Sequence, residues 1–262
     1  MIFHAKAQRK TLVPLGIILH KVKDRNWISR TTALIGEEKL NKLVNSHVLV
    51  VGLGGIGSYA AEFIARAGVG KMTIVDGDVV DPSNRNRQLP ALSSTHGKAK
   101  ADLMEERLRD INPEIEVVTI REFLSPGKAY EIIEAAEFDY IVDAIDSITP
   151  KLNLLIAAYR LNKKIISSGG AGGKTDPTLI EIADISKTHD CFFVRMVRKR
   201  LKREKIYTGI KVVFSPELQP KSALIMTDGA NYKRSAYGTI SYMPAAFGGM
   251  CASVVIRELI KD

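Results

Sequence analysis

The hydrophobic positions of the chain fall into short apolar runs separated by longer segments in which apolar residues recur at helical spacing. Residues 47–51 form an apolar run that ends at Gly52, as expected for a strand buried on both faces of a parallel sheet. The alternation continues to residue 168. It predicts an α/β fold with a doubly wound, mostly parallel, Rossmann-like sheet. The predicted strands are 47–51, 71–75, 115–120, 140–144 and 164–168, and the predicted helices are 37–44, 55–67, 96–109, 127–136 and 149–161.

The pattern is less regular after residue 168. Four glycines fall within 169–173, and a basic helix is predicted at 190–203 and a closing helix at 244–259. Extended segments are expected at 179–183 and 210–214. No repeat or low-complexity linker divides the chain, so we expect one domain over residues 27–262 with a decorated C-terminal part.

The first 26 residues resemble a signal peptide only in having basic residues before an apolar stretch. Pro14 and Gly16 interrupt that stretch, and charged residues follow it where a cleavage site would need small ones. We therefore expect residues 1–26 to be a variable or poorly ordered extension. No segment offers 18 uncharged apolar residues, which predicts that the chain does not span a membrane.

Composition places the chain among ordinary globular proteins, with 45% hydrophobic and 26% charged residues. The only two cysteines, Cys191 and Cys251, are too far apart in sequence to form a CxxC zinc pair, and two cysteines build no disulfide framework. This usage fits a reducing compartment, and we expect a cytoplasmic protein.

A glycine motif follows the first predicted strand. Gly52, Gly54 and Gly57 give the spacing G-x-G-x-x-G, with Gly55 inside it, and a predicted helix begins there. Such a turn lets phosphate oxygens approach backbone N–H groups at a helix N-terminus. Asp76 ends the next strand, where a carboxylate would meet a ribose hydroxyl. The motif predicts a nucleotide site, and the alternative is a glycine turn that serves only helix–sheet packing.

A dense polar run follows the second predicted strand. Its cationic side chains suit a triphosphate, whose negative charge grows during phosphoryl or nucleotidyl transfer, better than a neutral nicotinamide. ATP is therefore favoured over NAD, and the alternative is a solvated loop. The run comprises Asp78, Asp81, Ser83, Asn84, Arg85, Asn86, Arg87 and Gln88, with Lys98 and Lys100 after it.

Two carboxylates, Asp143 and Asp146, stand at the end of the fourth predicted strand. Ligands of open α/β sheets bind at this edge, and a carboxylate beside triphosphate oxygens can hold Mg²⁺. One of the two could instead cap the helix that follows. We assign metal binding to Asp146 and capping or ribose support to Asp143.

In their order and separation, these motifs resemble the adenylating domain shared by ubiquitin-activating enzymes and by the adenylyltransferases of molybdopterin and thiamine biosynthesis. The resemblance covers about residues 27–260 and is carried by segments 52–57, 76–78, 83–88, 97–100 and 143–146. It implies an ATP site in which Asp76 holds the ribose and Asp146 binds Mg²⁺. Asn84, Arg87 and Lys100 would contact the phosphates, with Gln88 supporting their loop and Asp78 belonging to the same set.

Within that superfamily the chain is most similar to the tRNA threonylcarbamoyladenosine dehydratases, through segments 29–31, 34–37, 168–173, 176–178 and 184–188. This resemblance implies ATP-dependent closure of the threonylcarbamoyl side chain on an adenosine next to the anticodon, by way of an acyl-adenylate. It also implies a homodimer in which Arg30 reaches the triphosphate of the partner subunit. Alternatively, Arg30 anchors its own N-terminal helix.

The main alternative function is adenylation of the C-terminus of a ubiquitin-like or sulfur-carrier protein, so such a protein, or a sulfur-transfer protein, stays a candidate partner. The thiamine and molybdopterin enzymes usually carry two CxxC zinc pairs, which this chain lacks. A nucleotide-binding scaffold without catalysis is a second alternative, and it would leave Arg30, Lys100 and Asp146 unexplained. We expect Cys191 and Cys251 to be structural.

Basic residues concentrate in the predicted helix 190–203 and just beyond it. Seven positive charges fall within residues 195–205, opposed only by Glu204. Such a helix can follow a phosphate backbone, which favours tRNA as partner and leaves no reason to expect DNA or a membrane; the alternative is a solvated basic surface. Phe192 and Phe193 are expected to be mainly packing or capping residues. The proposed tRNA contacts are Arg195, Arg198, Lys199, Arg200, Lys202 and Arg203.

Overall fold

The computed structural model describes residues 25–226 and 235–262. The predicted N-terminal extension, residues 1–26, therefore lies outside the described residues except for its last two positions. Asn26 opens a short 3₁₀ helix, Asn26–Ile28, that leads into the first α-helix.

Seven strands form one sheet in the order β3-β2-β1-β4-β5-β7-β6. All neighbouring pairs are parallel except β6 and β7, which are antiparallel. The chain order reverses between β1 and β4, which is where ligands bind in sheets of this kind. The predicted doubly wound, mostly parallel sheet is confirmed. The strands are β1 His47–Val51, β2 Lys71–Val75, β3 Glu116–Ile120, β4 Tyr140–Asp143, β5 Ile165–Ser168, β6 Glu181–Asp184 and β7 Lys211–Phe214.

Helices cover both faces of the sheet and bury two separate apolar clusters. One cluster includes Ala60, Met104 and Phe247 from three helices, and the other includes Ile132 and Leu155. None of the described helices combines the length and the apolar character needed to cross a bilayer. The helices are α1 Ser29–Ile35, α2 Glu37–Val44, α3 Gly57–Arg66, α4 Lys100–Ile111, α5 Pro126–Glu134, α6 Ile148–Arg160, α7 Phe192–Arg203 and α8 Tyr242–Leu259.

The sequence pattern missed two elements and misplaced the start of one helix. Helix α1 buries none of its side chains, so it has no apolar periodicity. The hairpin of β8 (Leu224–Met226) and β9 (Ser235–Tyr237) exposes all three β8 residues, so no alternation marks it. The helix expected at 96–109 begins only at Lys100, because a 3₁₀ turn and Gly97, with φ of 76°, precede it.

Helices α3 and α8 approach closely at one glycine of α8. A Cβ atom on Gly248 would lie 2.6 Å from the carbonyl oxygen of Ile56 and 2.9 Å from Cβ of Tyr59. The adjacent Gly249 has only the Phe63 ring nearby, at 3.7 Å. The packing of α8 against the glycine loop of β1 therefore depends on Gly248 and not on its neighbour.

We expect Gly248→Ala to lower the free energy of unfolding by about 1–3 kcal/mol, because backbone atoms must move to admit the methyl group. Gly249→Ala is the matched control in the same helix. It should be neutral or stabilising by up to about 1 kcal/mol, because alanine favours the helix and the space is open. Urea denaturation of both variants measures this, and equal effects would contradict the packing argument.

Candidate nucleotide site

The glycine motif connects β1 to α3 at the carboxyl edge of the sheet. Gly52 has φ of 89°, and a Cβ on it would lie 2.9 Å from the carbonyl oxygen of Ala144. A Cβ on Gly57 would lie 1.7 Å from the Gly52 carbonyl oxygen, and one on Gly55 would lie 2.9 Å from Pro244. These three glycines are therefore required by packing. Gly54 differs. A Cβ on Gly54 would lie 3.7 Å from its nearest neighbour, the amide nitrogen of Gln88, which leaves room above the loop.

Asp76 ties the glycine loop to the end of β2. Its Oδ2 accepts a hydrogen bond from the backbone N–H of Leu53 at 2.6 Å, and its Oδ1 accepts one from the N–H of Asp78 at 2.7 Å. Burial raises the pKa of Asp76, while Lys100 and the two N–H groups oppose that rise. The carboxylate predicted to meet a ribose thus lies directly beside the loop predicted to meet phosphate.

Lys100 is the first residue of α4 and is almost fully buried. Its ammonium lies 3.1 Å from Oδ2 of Asp78, whose side chain is 44% exposed. The positive charge of Lys100 also opposes the rise in the pKa of Asp76, so this buried cation lies near both carboxylates.

The polar run after β2 is folded by its own side chains. Asp81 caps a 3₁₀ turn, Pro82–Asn84, and Oδ1 of Asn84 accepts the backbone N–H of Asp81 at 3.1 Å. Arg87 Nη1 donates to the Ser83 carbonyl oxygen at 2.9 Å and to Oδ1 of Asn86 at 2.8 Å. Burial lowers the pKa of Arg87, and the negative charges of Asp146 and Asp81 oppose that shift. Arg87 and Asp146, distant in sequence, are therefore close enough in the fold for their charges to interact.

An unpaired oxygen on the Gln88 side chain indicates where a ligand could bind. Its Oε1 is buried and has no hydrogen-bond partner within the part of the chain that the structure describes. Buried polar atoms are nearly always paired, and this one belongs to the side chain that lies over Gly54. A donor supplied from outside the protein, such as a nucleotide hydroxyl or amino group or its bound water, fits this position.

Asp143 has a different role from the capping or ribose support expected of it. It is fully buried, and its Oδ2 accepts hydrogen bonds from Lys151 Nζ at 2.6 Å and from Ser167 Oγ at 2.6 Å. Its Oδ1 accepts the backbone N–H of Ile145 at 3.1 Å, which fixes the turn leading to Asp146. Lys151 was not among the predicted site residues; its only signal in the sequence is a lysine in the first turns of a largely apolar helix, three residues after Ile148.

Arg30 lies on exposed helix α1, and its side chain makes no hydrogen bond or ion pair with any residue of 25–226 or 235–262. Helix α1 packs against α2 and the preceding 3₁₀ helix. The structure therefore does not bring Arg30 to the glycine loop through its own contacts.

The basic helix α7 buries Val194, Val197 and Leu201 against the sheet. Arg198 differs from the other proposed tRNA contacts, because its Nη1 donates to the Thr188 carbonyl oxygen, to Thr188 Oγ1 at 2.8 Å and to the Ile185 carbonyl oxygen at 3.4 Å. Its guanidinium thus holds the loop before α7. The remaining candidates are exposed: Arg195, Lys199, Arg200, Lys202 and Arg203.

The donor set around Asp146 decides which metal could fit. No group of three or more His, Cys, Asp or Glu side chains converges among the described residues. Magnesium suits such a site, since it is commonly held by one or two carboxylates, substrate phosphates and water. The open space at Gly54, the buried cation Lys100 and the half-buried cation Arg87 fit the phosphates themselves.

Comparisons with known proteins identify the family and the fold of the chain. The model of the ThiF family matches residues 28–262. The chain is 41% identical over 241 residues to the tRNA threonylcarbamoyladenosine dehydratase of Bacillus subtilis, covering 89% of this chain and 94% of that protein. The enzyme of the same name from Escherichia coli is 35% identical, with 90% and 94% covered. The crystal structure of E. coli tRNA N6-threonylcarbamoyladenosine dehydratase, TcdA, in complex with ATP superposes with a TM-score of 0.81 at 34% identity, covering 90% of this chain and 94% of that one.

We expect Lys151→Met to lower the free energy of unfolding by about 3–5 kcal/mol, because it leaves the Asp143 carboxylate buried without a cation. Adding Asp143→Asn should recover part of this loss, since no buried charge then remains unpaired. Urea denaturation of the two single variants and the double variant measures the coupling.

The control is Lys163→Met, which breaks an ion pair of 2.6 Å with Glu137, whose side chain is 96% exposed. That pair should contribute at most about 1 kcal/mol. A loss from Lys151→Met no larger than that from Lys163→Met would show that the buried pair does not hold the strand end.

Proposed function

This chain belongs to the ThiF family, and from that membership we propose that it is an ATP-dependent tRNA threonylcarbamoyladenosine dehydratase, which closes the threonylcarbamoyl side chain of an adenosine in tRNA into a ring. The observation that carries the proposal is the extent of its likeness to relatives of that name, 94% of the B. subtilis protein being matched. The adenylating domain of the proposal is residues 27–262. Because the proposed substrate is tRNA, we expect the protein to act in the cytoplasm.

ATP is the nucleotide that the site favours. The space above Gly54 admits phosphates, Asp76 would hold the ribose, and Lys100 and Arg87 supply positive charge there. Asn84 would contact the phosphates beside Arg87, and the orphaned Oε1 of Gln88 would accept a donor from the ligand or its water. The pyrophosphate of a nicotinamide dinucleotide carries less negative charge than a triphosphate and would match Lys100 and Arg87 less well, so NAD should bind more weakly than ATP.

Magnesium would be held by Asp146 and the triphosphate. When bound, it would neutralise charge that develops on the phosphate oxygens. The chain's own part is to fix the carboxylate, which it does through the turn that Asp143 anchors.

The proposed reaction activates the threonyl carboxylate by attack on the α-phosphorus of ATP. A P–O bond forms to the carboxylate oxygen, the bond to pyrophosphate breaks, and the resulting acyl-adenylate carries AMP as a better leaving group than the oxygen of a free carboxylate. The neighbouring carbamoyl group then closes the ring and releases AMP, and proximity favours this intramolecular step. Water is thus removed formally at the cost of ATP hydrolysis to AMP and pyrophosphate.

No protein nucleophile is needed in this scheme, and the cysteines do not offer one. Burial raises the pKa of Cys251 to about 12, which keeps it a thiol at neutral pH. Cys191 is also buried, with its Sγ 3.8 Å from the Gly169 carbonyl oxygen. Stabilisation of charge by Arg87, Lys100 and the metal carries the catalysis that we propose.

We expect purified protein with ATP and Mg²⁺ to convert threonylcarbamoyladenosine in tRNA to its cyclic form, measured by mass spectrometry of the nucleosides. Asp146→Asn should slow the conversion about a hundredfold or more, because the charge opposite the triphosphate is lost. Asp110→Asn is the control, since Asp110 is exposed at the far end of α4. Equal rates in the two variants would show that Asp146 has no role in the reaction. If the wild-type protein does not convert the nucleoside, the proposed function is refuted.

The proposal also includes a homodimer in which Arg30 acts on the partner's triphosphate, supported by its exposure on α1 without partners in the described chain. Mixing inactive Arg30→Ala with inactive Asp146→Ala should restore part of the activity, because a heterodimer contains one intact site. Subunit exchange is verified by mass spectrometry of the intact protein. Exchange without any rescue would show that Arg30 does not act across an interface.

A further inference from the structure

Phe192 is an exposed aromatic residue at the start of the basic helix. It remains 56% exposed even though the guanidinium of Arg195 lies 5.2 Å from its ring centroid. Phe193, the next residue, is partly buried and packs against the apolar cluster under α7. Packing, one of the two roles expected of these rings, is therefore found for Phe193 and not for Phe192. Burying such a ring would contribute about 1.5–3 kcal/mol, which the fold does not gain here.

The first turn of α7 lies at the nucleotide edge of the sheet. Cys191, just before the helix, contacts the Gly169 carbonyl oxygen, and a Cβ on Gly169 would lie 2.7 Å from the Val194 side chain. The ring of Phe193 lies 5.8 Å from the ammonium of Lys151, which in turn binds Asp143. Phe192 thus begins a helix seated over the end of β5, the strand next to the one that leads to Asp146.

A stripe of exposed cations runs from this point along the helix. Arg195, Lys199, Lys202 and Arg203 are spaced by four, three and one residues and so share one side of α7. They extend about 12 Å along the helix axis. The acid that follows, Glu204, is paired at 2.8 Å with Arg160, the last residue of α6. The stripe therefore runs from the nucleotide edge of the sheet toward its opposite edge. No exposed, unpaired acidic side chain lies within the stripe.

We infer that Phe192, backed by Arg195, is a stacking platform for an unpaired base of the RNA loop that carries the substrate adenosine. The cationic stripe would then follow the phosphates of the adjoining stem. RNA loops are recognised by stacking of splayed bases on aromatic rings and arginine planes, whereas stems are bound through phosphates. The inference rests on the proposed function, because it identifies how the same site receives its RNA.

This arrangement determines which part of the RNA lies near the nucleotide site. A single-stranded base stacks where the helix meets the nucleotide edge, and a double-stranded stem needs only charge, which lies farther along α7. The reverse order, with charge at the edge and the ring at the far end, would hold the loop away from Asp146. A second copy of the chain or another protein seated on Phe192 would be a different occupant, and the experiment distinguishes it.

The test compares two RNA probes, a synthetic anticodon stem-loop and a blunt duplex of the same stem, by equilibrium binding at several salt concentrations. We expect Phe192→Ala to weaken stem-loop binding about 5- to 100-fold while leaving duplex binding and the salt dependence unchanged. Phe192→Tyr should retain binding, because it keeps the aromatic face. A double change, Lys199→Gln with Arg203→Gln, should weaken both probes and flatten the slope of log affinity against log salt by about two.

Tyr207 provides a matched control, since it is also 56% exposed and lies beyond the other end of α7. Tyr207→Ala should leave stem-loop affinity unchanged, and both alanine variants should melt at the wild-type temperature because neither ring is buried. Unchanged stem-loop binding by Phe192→Ala, or equal loss from Tyr207→Ala, would overturn the platform. A shift of Phe192→Ala to a smaller assembly in sedimentation would overturn it in favour of a protein interface.

The binding measurement separates this inference from the proposed function. Stem-loop binding that depends on Phe192, with no cyclic nucleoside formed by the wild type, would support the platform and refute the dehydratase. Cyclic nucleoside formed at wild-type rate and affinity by Phe192→Ala would refute the platform alone.

Discussion

The buried ion pair between Asp143 and Lys151 is the interaction on which the candidate site depends. Both side chains are almost completely removed from water, and Ser167 completes the set by donating to the same carboxylate oxygen. Removing two charges from water costs several kcal/mol each, and Lys151 lies in the first turns of α6, where the helix dipole disfavours a cation. A pair of apolar residues could fill this space at lower cost. The pair instead fixes a turn: Asp143 accepts the N–H of Ile145, and the Ala144 carbonyl oxygen leaves Gly52 no room for a side chain.

Cations and carboxylates also lie close together around the glycine loop. Lys100 forms an ion pair with Asp78, and the negative charge of Asp146 opposes the lowering of the Arg87 pKa. Asp76 accepts two backbone N–H groups, one from each of the segments it joins. Positive groups that are already in place when a triphosphate arrives need little reorganisation, which is the condition for strong electrostatic stabilisation. Among the buried side-chain polar atoms of the described residues, Oε1 of Gln88 is the one without a hydrogen-bond partner, and a ligand could supply it.

Much of this could be predicted from the chain alone, because the relevant signals are local. The apolar run 47–51 coincides with β1, and the strand after it with β2, since strands buried on both faces show continuous apolar runs. What escaped prediction depends on tertiary contacts. Lys151 and Arg198 look like ordinary surface cations in sequence, yet one binds a buried carboxylate and the other binds backbone carbonyl oxygens of the preceding loop. Helix α1 and the β8–β9 hairpin bury too little surface to impose any periodicity. The roles assigned to Arg30 and Asp146 stay predictions.

Helix α7 shows how one element can stabilise the fold and also present a charged surface. Its apolar side chains Val194, Val197 and Leu201 recur at spacings of three and four, so they need only one face of the helix. Arg198 falls at the border of that face and is used to hold the incoming loop, which fixes the direction in which the helix leaves the sheet edge. The remaining positions of α7 contribute little to packing, and many of them are arginine or lysine. Because the buried face and the Arg198 contacts fix the helix, the direction of the charged stripe relative to Asp146 is a property of the fold. An RNA bound along that stripe would therefore be aligned with the nucleotide edge before any of its bases met the protein.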